Sequence, residues 1–280
     1  MKIDTLVLSG GSTKVPAYVG VFKALQECNI INDTLDNIKH IVVCSVGMLY
    51  ALLILLKVNE QVNNAIIMRL DFAELIDMDN VNISELMFNL GLFDNSKVGL
   101  MIQTILRERY SKEDMNLQEL YEISTIKLSV KVVNSSKSCI EYISYETDPE
   151  ISIITLLKMT TAIPLFFKPV EYKGSIYVDG GLAGGYPVEV AGDNYLGIKL
   201  RGPWTTSKGL IDEIPIIPFI LSLTTIASTR QEEEDDRTIV IPSNIHFTNF
   251  SLSIEEKNKL IEDGYNLTKE HIDKYNLITD

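Results

Sequence analysis

The chain has 280 residues, and its 38 acidic against 25 basic side chains give a formal charge of −13. That sign repels phosphate backbones and anionic lipid surfaces at long range, which argues against a nucleic-acid partner but not against a lipid met at a local apolar face. Hydrophobic residues at 46% and charged residues at 22% match ordinary globular chains and not disordered ones.

Ile3 to Leu8 reads as a strand ending in Ser9-Gly10-Gly11, and Pro16 opens a helix through Glu27, because proline suits a first helical turn. His40 to Cys44 is a second strand, followed without a loop by a helix over Val46 to Lys57. Two strand-helix units in succession predict a mostly parallel sheet covered by helices. Ile41 to Leu56 is almost wholly apolar but shorter than the ~20 residues of a membrane span. Ser45 and Gly47 divide it into a β-branched part and a leucine-rich part, a buried strand and a buried helix.

Glu60 to about Glu122 has helical patterning with breaks near Asp79-Asn80 and Gly91. Ile126 to Val133 and Cys139 to Ser144 flank Asn134 to Lys137, as a hairpin or two adjacent strands would. Ile151 to Thr161 reads as a helix that stops before Pro164. Val170 to Tyr172 and Ser175 to Val178 flank a Lys173-Gly174 turn, and the second strand runs into Asp179-Gly180-Gly181. Tyr195 to Leu200 adds a strand, Ile214 to Thr229 a proline-broken helical segment, and Arg230 to Arg237 a charged run read as a solvated loop. Ser253 to Glu256 fits a capping box that opens a last helix to about Lys274.

No repeat, low-complexity tract or Gly/Pro/Ser-rich linker divides the chain. Residues 1–280 are therefore expected to form a single domain, with a motif-bearing core over about 5–195 and a C-terminal helical part over about 210–280. Cys28, Cys44 and Cys139 are odd in number and widely spaced, which predicts reduced core thiols. The N-terminus carries Asp4 and reaches glycine before an apolar stretch of signal-peptide length, so the expected compartment is cytoplasmic, with peripheral contact at membranes. Ile214 to Ile226 and Leu90 to Leu106 are candidate docking surfaces for such contact, core packing being the plainer reading.

A serine between a buried strand and a helix sits on a sharp turn that lifts its hydroxyl above the sheet, at the positive end of the helix dipole. Ser45 has that setting, and Gly47 lets the backbone turn tightly. The pattern is G-x-S-x-G with Val43 at the first glycine; the plain alternative is a strand-to-helix turn capped by Ser45. Acyl transfer also needs amides aimed at an oxyanion, and Gly10-Gly11-Ser12-Thr13-Lys14 would emerge on the same sheet edge. Neither phosphate-loop pattern can be written over those residues.

A nucleophile needs a base, and the chain has three histidines. His40 enters the strand that ends at Ser45, about 16 Å away at ~3.3 Å per residue, and His246 and His271 carry no surrounding motif. A histidine triad is disfavoured. Asp179, at a strand end before Gly180-Gly181, is the best candidate base, with an Asx turn as its plain alternative.

Taken in order, Leu8 to Lys14, Cys44-Ser45-Val46-Gly47 and Tyr177-Val178-Asp179-Gly180-Gly181 resemble the three motif blocks of the patatin-like phospholipase family. Thr161 to Pro164, Pro187-Val188 and the helix from Glu255 to Gly264 add to the likeness, which runs from about Thr5 to about Tyr265. The resemblance implies an α/β fold, a three-layer α/β/α sandwich with a mostly parallel central sheet. It implies hydrolysis of fatty-acyl esters of lipid or phospholipid by a Ser-Asp dyad through an acyl-enzyme, with no metal or organic cofactor. Ser45 matches the nucleophile and Asp179 the base. Gly10, Gly11 and Ser12 match the oxyanion loop, with Lys14 in the basic position and Gly47, Gly180 and Gly181 as supporting glycines. The chain departs from the pattern at Ser12, Val15 and Val43, where glycine is usual, and at Ala183-Gly184-Gly185, where asparagine is frequent. A catalytically weak relative that keeps the fold for lipid binding or regulation is the alternative those departures suggest.

Overall fold

The computed structural model describes residues 2–75, 88–203, 234–246 and 249–277. In chain order its elements begin with β1 (Thr5–Leu8), α1 (Pro16–Glu27), β2 (His40–Cys44), α2 (Val46–Leu55) and α3 (Glu60–Arg69). There follow β3 (Gly91–Phe93), α4 (Ser96–Tyr110), α5 (Leu117–Ser124), β4 (Lys127–Asn134), β5 (Cys139–Ile143) and α6 (Ile153–Thr160). The last are β6 (Leu165–Phe167), β7 (Val170–Tyr172), β8 (Ser175–Asp179), β9 (Tyr195–Arg201), β10 (Thr238–Pro242) and α7 (Ile254–Tyr275).

The helix boundaries follow from local chemistry. Pro16 is the first residue of α1, and Ser253 and Glu256 exchange hydrogen bonds across the start of α7 as a capping box should. Asn116 and Glu119 do the same for α5. Ser152 caps α6 by accepting from the Thr155 amide at 3.0 Å.

The main sheet has the order β10-β9-β1-β2-β4-β8-β7, with β5 also on β4. From β10 to β4 every pairing is parallel, whereas β5, β7 and β8 join antiparallel. This is the expected mixed α/β fold, a central sheet flanked by helices. Strand alternation divides the interior. Leu6, Leu8, Ile41 and Val43 join the large core with residues of α1, α2, α5, α6 and α7, while Val7 and Val42 face a smaller cluster around Tyr186, Ala191 and Tyr195.

Several expectations need correction. Gly91, expected as a helix break, opens β3, which pairs in parallel with β6 in a separate two-stranded sheet. Neither strand was expected, since three residues are too few to show a period. β10 was also missed. The charged run is not a free solvated loop where it is described: Glu234 bridges Lys199 at 2.8 Å, with the lysine side chain only 7% exposed. Of the three cysteines only Cys44 is a core thiol; Cys28 is half-buried and Cys139 is exposed on β5. Asp79-Asn80 and Ile214 to Thr229, including the docking segment to Ile226, lie outside the described residues.

No helix among the described residues is long and apolar enough to cross a membrane. The apolar run from Ile41 divides into β2 and α2 as expected. In the Leu90 to Leu106 stretch, Val98, Ile102, Ile105 and Leu106 are buried, but Leu90 and Leu100 are exposed, as is neighbouring Phe88.

Candidate active site

Three registers bring two distant strand ends together. β2 pairs with β4 along Lys127 to Lys131, and its last residue, Cys44, lies opposite Lys131. β5 overlaps that stretch at Val130 and Lys131, so it occupies the other edge of β4. β8 pairs with Val132 to Asn134, where β5 is also paired, and must therefore share the β2 edge. It runs in the opposite sense and ends with Asp179 opposite Val132. β2 and β8 thus meet head to head between Lys131 and Val132, with Ser45 leaving one and Asp179 closing the other.

The side chains complete what the registers begin. Ser45 Oγ donates to Asp179 Oδ2 at 2.6 Å, and the two residues are only 8% and 4% exposed. Ser45 has φ 51° and ψ −128°, a sparsely populated conformation that costs a non-glycine residue about 1–3 kcal/mol and is characteristic of functional turns. Although it holds the N-cap position of α2, its hydroxyl makes no capping bond; the proton goes to the aspartate instead. The Asx turn foreseen for Asp179 is present without competing, because Oδ1 accepts from the Gly181 amide at 2.7 Å while Oδ2 meets Ser45. The Cys44 thiol also lies 3.9 Å from Oδ1.

Burial pushes the Asp179 carboxyl up from 3.8 to about 6, even though Ser45, the Gly181 amide and Cys44 all pull it down. It is therefore ionised at neutral pH but not strongly acidic, as a general base requires. None of the three histidines is hydrogen-bonded to either residue. His40 instead lies 2.8 Å from Ser129 Oγ at the far end of β2, and His271 meets Asp236 O.

The departures from the glycine pattern resolve individually. Val43 is an interior strand residue paired with Leu8 and Val130, and its side chain belongs to the large core, so it does not crowd the elbow. Gly47 is indispensable: a methyl there would lie 2.7 Å from Leu8 O and 2.8 Å from Ser9 O, because α2 starts against the end of β1. Val15 has right-handed helical angles, which any residue adopts. Ser12 has φ 52°, so a hydroxymethyl side chain stands where glycine is the unstrained choice.

The expected oxyanion cradle is corrected at one position. The Gly10 amide donates to Gly185 O at 2.8 Å, so Gly10 contributes room beside the Ser45 Cβ and not a free donor. The Gly11 amide has no hydrogen-bond acceptor among the described residues. The Val46 amide, first in α2, is likewise one of the unpaired donors that every helix start leaves. Lys14 is buried with Ile245 O as its acceptor at 3.2 Å, and burial lowers its ammonium from 10.5 to about 8. Among the described residues it makes no hydrogen bond to Ser45 or Asp179.

Sequence reasoning missed the groups that hold this arrangement. Lys131, fully buried, donates to Glu189 Oε1 at 2.7 Å and Ala183 O at 3.0 Å, tying the loop after Asp179 to β4. A methyl on Gly180 would strike Lys131 O at 2.4 Å, so this loop lies against the β4 backbone. Thr160 Oγ1 accepts from the Ser45 amide at 2.8 Å. A lysine inside the strand KLSVKVV was the one available signal for this layer; Thr160 offered none.

The sequence pattern of the family described as patatin-like phospholipase matches residues 6–191. The chain is 25% identical over 228 residues to "Probable lipid hydrolase 463L" of Invertebrate iridescent virus 6, covering 81% of this chain and 72% of that one. Among solved structures it resembles VipD of Legionella pneumophila, with a TM-score of 0.67 and 19% identity over 98% of this chain and 67% of VipD. It also resembles the type III effector ExoU of Pseudomonas aeruginosa, with a TM-score of 0.57 and 14% identity. There the match takes in 98% of this chain but only 53% of ExoU, so the chain spans about half that protein's length. Likeness at such identities speaks for the fold. With the family pattern spanning well over half the sequence, the chain belongs to the patatin-like phospholipase family, a family of lipid hydrolases.

Proposed function

We propose that the protein is a carboxylic ester hydrolase that cleaves fatty-acyl esters of phospholipid or a related lipid, with residues 1–280 working as one acyl hydrolase domain. The observation that carries this reading is the 2.6 Å hydrogen bond from Ser45 Oγ to Asp179 Oδ2, at a backbone elbow on the N-terminus of α2. Ser45 Oγ attacks the ester carbonyl carbon while its proton passes to Asp179 Oδ2. The oxygen that gains charge is met by main-chain amides of the Gly11-Ser12 turn and of Val46, beside a serine and an aspartate that are both buried. Collapse breaks the bond to the leaving alcohol, which takes the proton from Asp179, and Ser45 is left acylated. Asp179 then removes a proton from water, water attacks the acyl carbon, and the fatty acid departs as the Ser45 hydroxyl is restored.

Because the base must be ionised, activity should fall on the acid side with a midpoint near pH 6. The proposed setting is cytoplasmic, with brief contact at a lipid surface through exposed apolar side chains such as Phe88, Leu90 and Leu100. The net charge of −13 favours zwitterionic over anionic membranes. The test is hydrolysis of a zwitterionic phospholipid by the intact chain and by Ser45→Ala. Turnover that disappears with the hydroxyl supports the reading, and turnover that survives its removal defeats it. An intact chain that binds such vesicles without hydrolysing them would favour the lipid-binding alternative.

A further inference from the structure

We propose that Thr160 is the positioning residue of the dyad, its hydroxyl fixing the Ser45 backbone so that Oγ stays in reach of Asp179; this rests on the dyad reading above. Thr160 ends α6 and is fully buried. Its Oγ1 accepts from the Ser45 amide at 2.8 Å and donates to Lys131 O at 2.9 Å. With donor and acceptor both engaged, the hydroxyl has one orientation.

The carbonyl it grips lies where the geometry is decided. Lys131 pairs with Cys44, the last residue of β2, and the next residue, Val132, pairs with Asp179, the last residue of β8. Two residues after Thr160, Ala162 O accepts the Asp179 amide at 3.0 Å. The stretch from Thr160 to Ala162 therefore holds one backbone amide of each dyad member, by a side chain for Ser45 and by the main chain for Asp179. Ser45 needs such a hold, since its positive φ would otherwise relax and swing the hydroxyl. A buried amide without an acceptor adds a second drive toward rearrangement.

The experiment compares Thr160→Val, which keeps the shape and removes the hydroxyl, with Thr160→Ser, which keeps the hydroxyl. Each is assayed for hydrolysis of a soluble p-nitrophenyl ester, for its rate of fluorophosphonate labelling and for its thermal midpoint. Thr160→Val is expected to lower kcat and the labelling rate roughly 100-fold with KM changed less than about twofold, as a misplacement of the order of 1 Å would. Thr160→Ser is expected to restore most of both. The acid limb of the Thr160→Val pH profile should also move up, because the Ser45 hydrogen bond is one of the contacts that lower the Asp179 carboxyl; a change of stability alone would not move it.

A folded Thr160→Val with the parent's kcat overturns the proposal, as does a Thr160→Ser that is equally impaired at an unchanged thermal midpoint. If Thr160→Val does not fold, Thr160→Ala is read by the same criteria. Ser45→Ala run alongside separates the two levels. Hydrolysis surviving there removes the dyad itself, whereas its loss together with an unimpaired Thr160→Val removes only the positioning role.

Discussion

β2 carries a serine contact at each end. At its start His40 Nε2 lies 2.8 Å from Ser129 Oγ, and just past its finish Ser45 Oγ lies 2.6 Å from Asp179 Oδ2. Burial, aided by the charge of Lys127, lowers His40 from 6.5 to about 4, so its imidazole is neutral at working pH and able to accept a proton, though it is a weaker base than Asp179, whose carboxyl is raised to about 6. Ser129, however, sits inside β4, paired with Val42, with no helix start beside it. Ser45 stands on a positive-φ turn, at the end of a helix that offers unpaired amides. What separates the two ends is the backbone beneath the hydroxyl and not the presence of a proton acceptor.

The largest test of that contrast removes each hydroxyl in turn. Ser45→Ala should lower kcat at least about 1,000-fold, as loss of a nucleophile does, while Ser129→Ala leaves ester hydrolysis within about twofold of the parent. Comparable losses in the two variants would erase the distinction. Next comes Asp179→Asn, expected to lower kcat by about 10²–10⁴ in the same assay. At pH 7 it should also raise the unfolding free energy by an amount on the order of 2 kcal/mol, read by urea denaturation, because it removes a buried charge whose carboxyl is pushed up to about 6.

The backbone itself is probed two residues to either side of Ser45, at Gly47 and Val43. Gly47→Ala forces a methyl against Leu8 O and Ser9 O, and should lose about 1–3 kcal/mol of stability together with roughly tenfold in kcat. Val43→Ala leaves a core cavity, so it should lose about 2 kcal/mol in the same denaturation assay while kcat stays within about twofold. If the two variants lost activity equally, the elbow would not be the determinant.

The smallest effect is one of sign. Asp179, with its carboxyl raised, makes stability fall as pH rises from about 4 to about 6. His40, with its imidazole lowered, makes stability rise as pH rises from about 4 to about 6.5. The two ends of β2 thus oppose each other over nearly the same window. Relative to the parent, Asp179→Asn should gain slope with pH there and His40→Gln should lose it, read by thermal midpoints at half-unit steps. Shifts of the same sign would contradict the assignment.

How much of this was legible in the sequence depended on range. β1, α1, β2 and α2 could be read because strand periodicity, Pro16 and an apolar run broken by Ser45 and Gly47 are all local signals. The Lys173-Gly174 turn was legible for the same reason, since both residues take positive φ between β7 and β8. Nothing local states that β8 shares an edge of β4 with β2; that follows only from the three registers. The bond from Gly10 to Gly185 O and the hold of Thr160 on Ser45 span 175 and 115 residues, distances at which a pattern in one sequence is silent. β3 and β6 escaped notice because three residues beside a glycine or a proline carry no period. Glu234 was misread because its partner, Lys199, lies on another strand.

The most direct measurement is peptide mapping of the intact chain after reaction with a fluorophosphonate, repeated across pH. The expected result is one adduct, on the peptide carrying Ser45, forming with an acid limb near pH 6. An adduct on Ser129 or on any other side chain, with Ser45 unmodified, would contradict the account.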